Sequence, residues 1–550
     1  MSANLILPID AFERQIVATV RKHRVTVISA ETGAGKSTRV PAMLMRGGFC
    51  VSGQMIGVTE PLRLSASLIP EFVAKTLGCQ VGELVGYQIG GERVFDRKTL
   101  IKYMTIGVMN NELHRDPELR RYSVVIADEI HERSIEQDLQ LAMLKKLLAT
   151  REDLKVVVMS ATFDTNQYAE YFGVPQDAII TVPGRTFPVH AHYLHEDPRD
   201  PIAACADQIG QIVRRRMPGD ILTFLPDEKS INKVRDLLAK QELGIPVHRL
   251  LRNQTKQERD DAVYARGGQR VILSTNIAET GVTVDGVKHV VDSGLVKQDV
   301  YVSAAMSALE VVQHSQAGCN QRMGRAGRTQ SGDCWRMYTQ RNFNERVGYT
   351  RPAILRSALD STLLQLRCLG YSQQEVLSLG LLDDPGTDRW EEADQRLKLL
   401  GALDADGNVT DDGRVINRLP LSPMLARIIL AGDQYGCLQE AVVMAAGLAA
   451  RPVFYNVPTE ERDAVNAARA AFVNKDSDHL TMLAVWQAWD RNRETDGWAK
   501  QKCVSFQALR EIDRLCDQIV SALQSSGFEF SSSTDKQLLL KTVAAGLVIN

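Results

Sequence analysis

The run AETGAGKST, Ala30 to Thr38, lies between the β-branched segment Val25 to Ile28 and a helical stretch beginning near Lys36. It dictates a strand, a glycine-rich turn and a helix in that order. Such a turn points backbone N–H groups at an anion, Lys36 adds a point charge, and Ser37 adds a hydroxyl able to ligate a metal. Further along, the run Ser123 to Ala127 ends in Asp128-Glu129-Ile130-His131. A strand there delivers Asp128 to the same sheet edge, where its carboxylate can hold a divalent cation while Glu129 activates a water. Together the motifs imply nucleotide hydrolysis, with Gly33, Ala34, Gly35, Lys36, Ser37 and Thr38 cradling phosphates and Ser37, Asp128 and Glu129 around the metal. Ala30 stands where the strict phosphate-loop pattern has glycine.

A chain of 550 residues is too long for one core, so about three or four domains are expected. Nine cysteines without a C-x-x-C spacing argue for free thiols in a reducing, cytoplasmic setting and against zinc. The longest apolar run, Ala441 to Ala450, is about half a membrane span and reads as a buried helix. The N-terminus lacks the basic and apolar regions of a secretory signal. With 65 basic and 67 acidic residues the net charge is −2, so a nucleic acid would have to be held by a local groove rather than by a global field. Arg214 to Arg216 reads as a solvated helix end.

From Leu7 to about Thr186, VTVIS, MIGVT, LIKYMT, SVVIAD and KVVVMS alternate with helical stretches, which is a parallel α/β pattern. After PGRTFPV (Pro183 to Val189) a second α/β series follows, with strands expected at Ile221 to Phe224, Val271 to Ser274 and His289 to Val291. From about Arg351 the chain reads helical to its end. The fold class expected is therefore two tandem α/β domains and a mainly helical region.

The ordered set of runs TEPLRLSA (Thr59 to Ala66), TIGVMNNEL (Thr105 to Leu113), DEIH, SAT (Ser160 to Thr162), ILTFLP (Ile221 to Pro226), STNIAETGVTVDG (Ser274 to Gly286) and QRMGRAGR (Gln321 to Arg328) resembles the DEAH-box family of superfamily 2 helicases. The resemblance implies two RecA-like domains with ATP and Mg2+ between them, over residues 1–186 and 187–348. It also implies a winged-helix domain over 349–418 and a helical ratchet domain over 419–550. Arg325 and Arg328, one helical turn apart, can reach a γ-phosphate from the second lobe, and Gln321 can orient the water. By motif offset Phe72 and Tyr264 take the two places that stack the base, Phe72 standing where the family has an arginine. Stacking on two rings carries no hydrogen-bond readout, so other nucleoside triphosphates are expected to be accepted. The resemblance puts Thr283 and Asp285 on the ribose, Arg63, Thr105 and Thr280 along the nucleic acid, and Ser160 and Thr162 in the coupling between sites. The segment Val296 to Gln313 reads as a hairpin, which in this family projects towards the duplex junction. Trp486 and Trp489 fit helix packing.

Several positions depart from the family's pattern. Leu62 replaces the first of two paired arginines, Gly281 stands where a serine follows AET, and GYQIGGE (Gly86 to Glu92) lacks a basic-aromatic pair. The chain stops at KTVAAGLVIN where an OB-like domain is expected to follow, so a G-patch-type activator is not expected. The activity implied is an RNA-stimulated, magnesium-dependent NTPase moving 3′ to 5′ on single-stranded RNA, unwinding duplexes with an overhang or remodelling ribonucleoproteins. A monomer that binds neither membrane nor zinc is expected. The rival readings are a motor on DNA, because phosphate contacts do not read the 2′-hydroxyl, and a nucleic-acid-binding scaffold with residual NTPase activity.

Overall fold

A computed structural model of the chain describes residues 7–547 apart from 32, 52, 162–164, 184–186, 252–253, 255, 265–266, 280–283, 285, 304–305, 328–329, 455–461 and 493–494. The first lobe is built on strands β1 (Val25–Ala30), β2 (Met55–Glu60), β3 (Val85–Ile89), β4 (Glu92–Val94), β5 (Ile101–Thr105), β6 (Tyr122–Ala127), β7 (Lys155–Ser160) and β8 (Ile179–Val182). Their spatial order is β4-β3-β5-β2-β6-β7-β1-β8, parallel throughout except for the β3/β4 hairpin at one edge. β1, β2 and β6 are buried along their whole length, the signature of a parallel sheet covered on both faces, and this is why they read as unbroken apolar runs.

The second lobe carries β9 (Val189–Leu194), β10 (Asp220–Phe224), β11 (Val247–Leu250), β12 (Val271–Ser274), β13 (Val287–Asp292), the separate pair β14 (Leu295–Ser303) and β15 (Met306–Gln313), and β16 (Gly332–Thr339). Its six-stranded sheet runs β11-β12-β10-β13-β16-β9 and is wholly parallel. The expected hairpin is the two-stranded β14-β15 sheet. Arg214 to Arg216 lie exposed at the end of the helix Pro201–Arg214, as read from the sequence.

By Cα proximity the chain divides into two units. The first holds both lobes together with residues 308–357 and 380–384; the second holds 301–307, 358–379 and 385–550. The first unit thus takes in residues 349–357 and 380–384, which lie within the stretch 349–418 read from the sequence as a winged-helix domain. The Ala353 N–H donates to the Arg133 carbonyl at 3.0 Å, and the Tyr171 hydroxyl donates to the Gly380 carbonyl at 2.7 Å, so both stretches pack with the first lobe.

The second unit opens with helices Asp360–Cys368, Thr387–Leu399 and Asp411–Arg418, pinned by Arg396 to Asp360 at 2.7 Å and Arg367 to Asp394 at 3.1 Å. A bridge between Leu403 and Val409 closes a small antiparallel wing. Helices Pro423–Gln434, Leu438–Ala449, Asp478–Asn492, Phe506–Gln524 and Lys536–Leu547 follow. The apolar run from Ala441 falls in Leu438–Ala449, which is buried over most of its length, and Trp489 packs inside at 2% exposure. Among the described residues no helix is long and apolar enough to cross a membrane.

Candidate nucleotide site and its surroundings

Parallel pairing brings the carboxyl ends of five strands to one edge of the first sheet. Ser29 pairs with Ser160, Thr59 with Ala127, and Glu60 with Thr105, so the phosphate loop, the DEIH run, the SAT run and Thr105 all leave that edge.

The phosphate loop owes its shape to Gly33 and Gly35, at φ 92° and 98°, where a side chain would be strained. Space also demands glycine at 35, since a Cβ there would lie 2.7 Å from Leu7 Cδ1. The N-terminal segment holds the loop from outside, with the Ile9 N–H donating to the Ala34 carbonyl at 3.2 Å. Gly35 caps the helix Lys36–Arg46, whose first N–H groups face the loop. The Lys36 ammonium, 4% exposed, donates to the Ala30 carbonyl at 2.5 Å, which curls it over the loop. Ser37 and Thr38 occupy the first turn, and the Thr38 hydroxyl donates to the Gly35 carbonyl at 3.2 Å.

Asp128 and Glu129 are buried at the end of β6. Asp128 Oδ1 accepts the Glu129 N–H at 2.7 Å, whereas Oδ2 has no donor within hydrogen-bond distance. Burial, then the charge of Glu129, raises the Asp128 carboxyl, against the lowering influence of Lys36 and the Ser37 hydroxyl. Glu60, buried at the end of β2, is raised well above the usual carboxylate range by burial and by Asp128 and Glu129. A buried carboxylate cluster with an open oxygen beside a serine hydroxyl suits a hard cation with oxygen ligands, and Ser37 and Asp128 are the residues that would hold it.

Glu129 itself has φ 50°, as does Arg133, and the two bracket the short turn Ile130–Glu132. The Glu129 carbonyl accepts from Gln137 Nε2 at 2.9 Å, while Arg133 grips Asp138 through two bonds of 2.9 and 3.1 Å and also binds Asp383. His131 lies 3.4 Å from Glu129 Oε2 and accepts the Ala161 N–H at 3.3 Å, joining the DEIH run to the residue between Ser160 and Thr162. Ser160 is wholly buried. Burial lowers the His131 imidazole, and the positive charges of Lys36 and Arg325 lower it further. Arg325 of the second lobe thus lies close enough to be felt at the DEIH loop of the first.

Gln321 is half-buried on the helix Gln316–Met323, and Arg325 follows it, 4% exposed. Phe72 is half-buried on the helix Arg63–Leu77, and Tyr264, 61% exposed, ends the helix Lys256–Tyr264. Arg63 is exposed in the first turn of its helix and donates to the Gly90 carbonyl of the β3–β4 turn at 2.5 Å. Thr105 is the N-cap of the helix Ile106–Arg115 but makes no capping bond with its side chain. Thr162, Thr280, Thr283, Asp285 and Arg328, and the departure at Gly281, lie outside the described residues.

Sequence reasoning passed over Glu60, Arg133, Gln137 and, in the second lobe, Glu279, Asp292, His314 and Arg322. The signal was present for most of them, since Glu60, Arg133, Glu279 and Arg322 stand inside or beside the quoted runs. Their partners are remote in sequence, and only folding reveals them.

Residues 11–170 match the DEAD/DEAH box helicase family, and 204–330 match the helicase conserved C-terminal domain. Residues 395–421 match the winged-helix part of the helicase associated domain (HA2), and 422–482 its ratchet-like part. The chain is similar to the pre-mRNA-splicing factor ATP-dependent RNA helicase prp22 of Schizosaccharomyces pombe, 34% identical over 99% of this chain and 47% of that relative. It thus spans about half the length of the curated relative it matches. Two parallel α/β lobes, a phosphate loop and DEIH run on one sheet edge, the helicase conserved C-terminal match over the second lobe, and the winged-helix and ratchet matches together show that the chain belongs to the DEAH-box family of helicases, with Ile130 where the family name has alanine.

Proposed function

We propose that this chain hydrolyses ATP and uses the energy to translocate along single-stranded RNA and separate duplexes or remodel ribonucleoproteins. The observation that carries the proposal is geometric: the phosphate loop, the DEIH run, the SAT run and Thr105 leave one edge of the first sheet, and the Arg325 charge of the second lobe acts in the same direction as burial on the His131 imidazole there. The phosphate-loop N–H groups and Lys36 bind the β- and γ-phosphates. Mg2+, held by Ser37 and Asp128, supplies charge neutralisation at the phosphates when bound. Glu129, fixed by its backbone anchors, accepts the proton of the attacking water, and Gln321 orients that water. Arg325 and Arg328 neutralise charge developing on the transferred phosphoryl group.

Arg63, Thr105 and Thr280 contact the strand's phosphates. A cation in the first turn of a helix opposes the macrodipole, and a phosphate at that end would offset the conflict at Arg63. Phe72 and Tyr264 flank the base, and Thr283 and Asp285 the ribose, so GTP and the pyrimidine triphosphates are accepted beside ATP. The family resemblance supports 3′-to-5′ polarity and an RNA substrate, the nine cysteines without C-x-x-C spacing support a reducing, cytoplasmic location, and a monomer is the simplest arrangement.

The test is steady-state ATPase with and without single-stranded RNA or DNA of equal length, on the parent and on Glu129→Gln. Strong stimulation by RNA over DNA, abolished in the variant, is expected. Equal stimulation by both would favour a motor without sugar preference, and turnover indifferent to either would overturn the motor reading.

A further inference from the structure

The helix Gln316–Met323 carries Gln321 and leads into Arg325, yet its largest fully buried side chain is Arg322. Its guanidinium is shared among three segments. Nε donates to Glu279 Oε1 at 2.7 Å, just after the turn Asn276–Ala278. Nη1 donates to Asp292 Oδ1 at 2.8 Å, at the end of β13, and to the Leu295 carbonyl at 3.0 Å, where the β14–β15 hairpin begins. The other Glu279 oxygen lies 3.3 Å from His314 Nε2, immediately before the helix. Burial pushes the Glu279 carboxyl up, but Arg322 and His314 prevail and hold it down to about 2.

A buried cation with two carboxylates contributes little net stability compared with apolar packing, because desolvation offsets most of the attraction. What a planar fork provides is register, since Nε and Nη1 keep their hydrogen bonds only when all three partners keep their places. We infer that Arg322 is a positioning residue that sets Gln321 and Arg325 against the nucleotide by locking their helix to the Asn276–Glu279 turn and to the base of the hairpin. This inference rests on the proposed NTPase reading. Through the same lock, a displacement of the hairpin base moves Arg325.

Glu279→Gln and Arg322→Lys, in the full chain, test the inference. Glu279→Gln keeps the volume and leaves Arg322 paired with Asp292, so one complete charge pair survives. Arg322→Lys keeps the charge but cannot reach three acceptors in fork geometry. Both are expected to lower kcat at least about tenfold while KM for ATP and Kd for single-stranded RNA stay within about twofold, since small misplacements near the reacting atoms act on turnover. The urea midpoint is expected to stay near the parent's. Unchanged kcat overturns the inference, as does a loss of kcat that only parallels a fall in the urea midpoint and a rise in KM. Amide hydrogen exchange provides a readout that needs no activity. Glu279→Gln is expected to speed exchange across residues 316–327 as well as 271–279, and faster exchange confined to 271–279 overturns the inference. If the parent hydrolyses no nucleotide, the function proposed above fails and the exchange result alone decides this one.

Discussion

Pro41 sits inside the helix Lys36–Arg46, where the missing N–H leaves the Ser37 carbonyl without its i+4 donor. The fully buried Tyr103, on β5, fills the gap by donating its hydroxyl to that carbonyl at 2.7 Å. One side chain in the sheet thus repairs the helix that carries the proposed phosphate-binding residues and fixes the residue expected to face the metal. Tyr103→Phe removes the donor and leaves a carbonyl unsatisfied, which costs about 1–3 kcal/mol. The expected outcome is a lowered urea midpoint for the first lobe with a raised KM for ATP. An unchanged midpoint would show that water replaces the hydroxyl.

At the scale of elements, the DEIH loop is held in a conformation its residues do not favour. Two non-glycine residues at φ 50°, Glu129 and Arg133, cost roughly 1–2 kcal/mol each. The surroundings over-determine them. Ser134 and Gln137 form a capping box on the helix Ile135–Leu148, Gln137 also binds the Glu129 carbonyl, and Arg133 is clamped between Asp138 and Asp383. The strained turn leaves the Glu129 carboxylate 3.4 Å from His131 Nδ1, at the end of β6 where the proposed site lies. Arg133→Lys breaks the two-bond grip on Asp138, so kcat should fall about 10–100-fold with KM for ATP little changed. Steady-state kinetics check this, and equal changes in both parameters would mean that Arg133 acts on nucleotide binding instead.

At the scale of the whole molecule, the proposed chemistry needs both lobes, because the phosphate loop follows a strand of the first sheet while the proposed finger arginines belong to the second lobe in sequence. Arg325→Ala and Arg328→Ala should each lower turnover on the order of 10³-fold, as loss of an arginine finger does. ATP binding measured without turnover should persist, since the phosphate loop remains intact. A variant that hydrolyses ATP like the parent would remove that arginine from the mechanism.

The amino-acid sequence by itself determined the strands and the motifs at their ends. β1, β2, β5, β6 and β7 are near-continuous apolar runs, and a glycine-rich turn admits few alternatives. It was less informative about β4 and β9, which are short or interrupted by polar residues and lie at sheet edges where one side needs no apolar cover. Only the tertiary structure decided which polar residues meet. Arg322 finds Glu279 and Asp292, Arg133 finds Asp383, Tyr103 finds Ser37, and residues 349–357 and 380–384 pack with the α/β lobes. Local periodicity records burial along a few residues, whereas a buried charge takes whichever partner the fold brings within hydrogen-bond reach, however far apart the two lie in the chain.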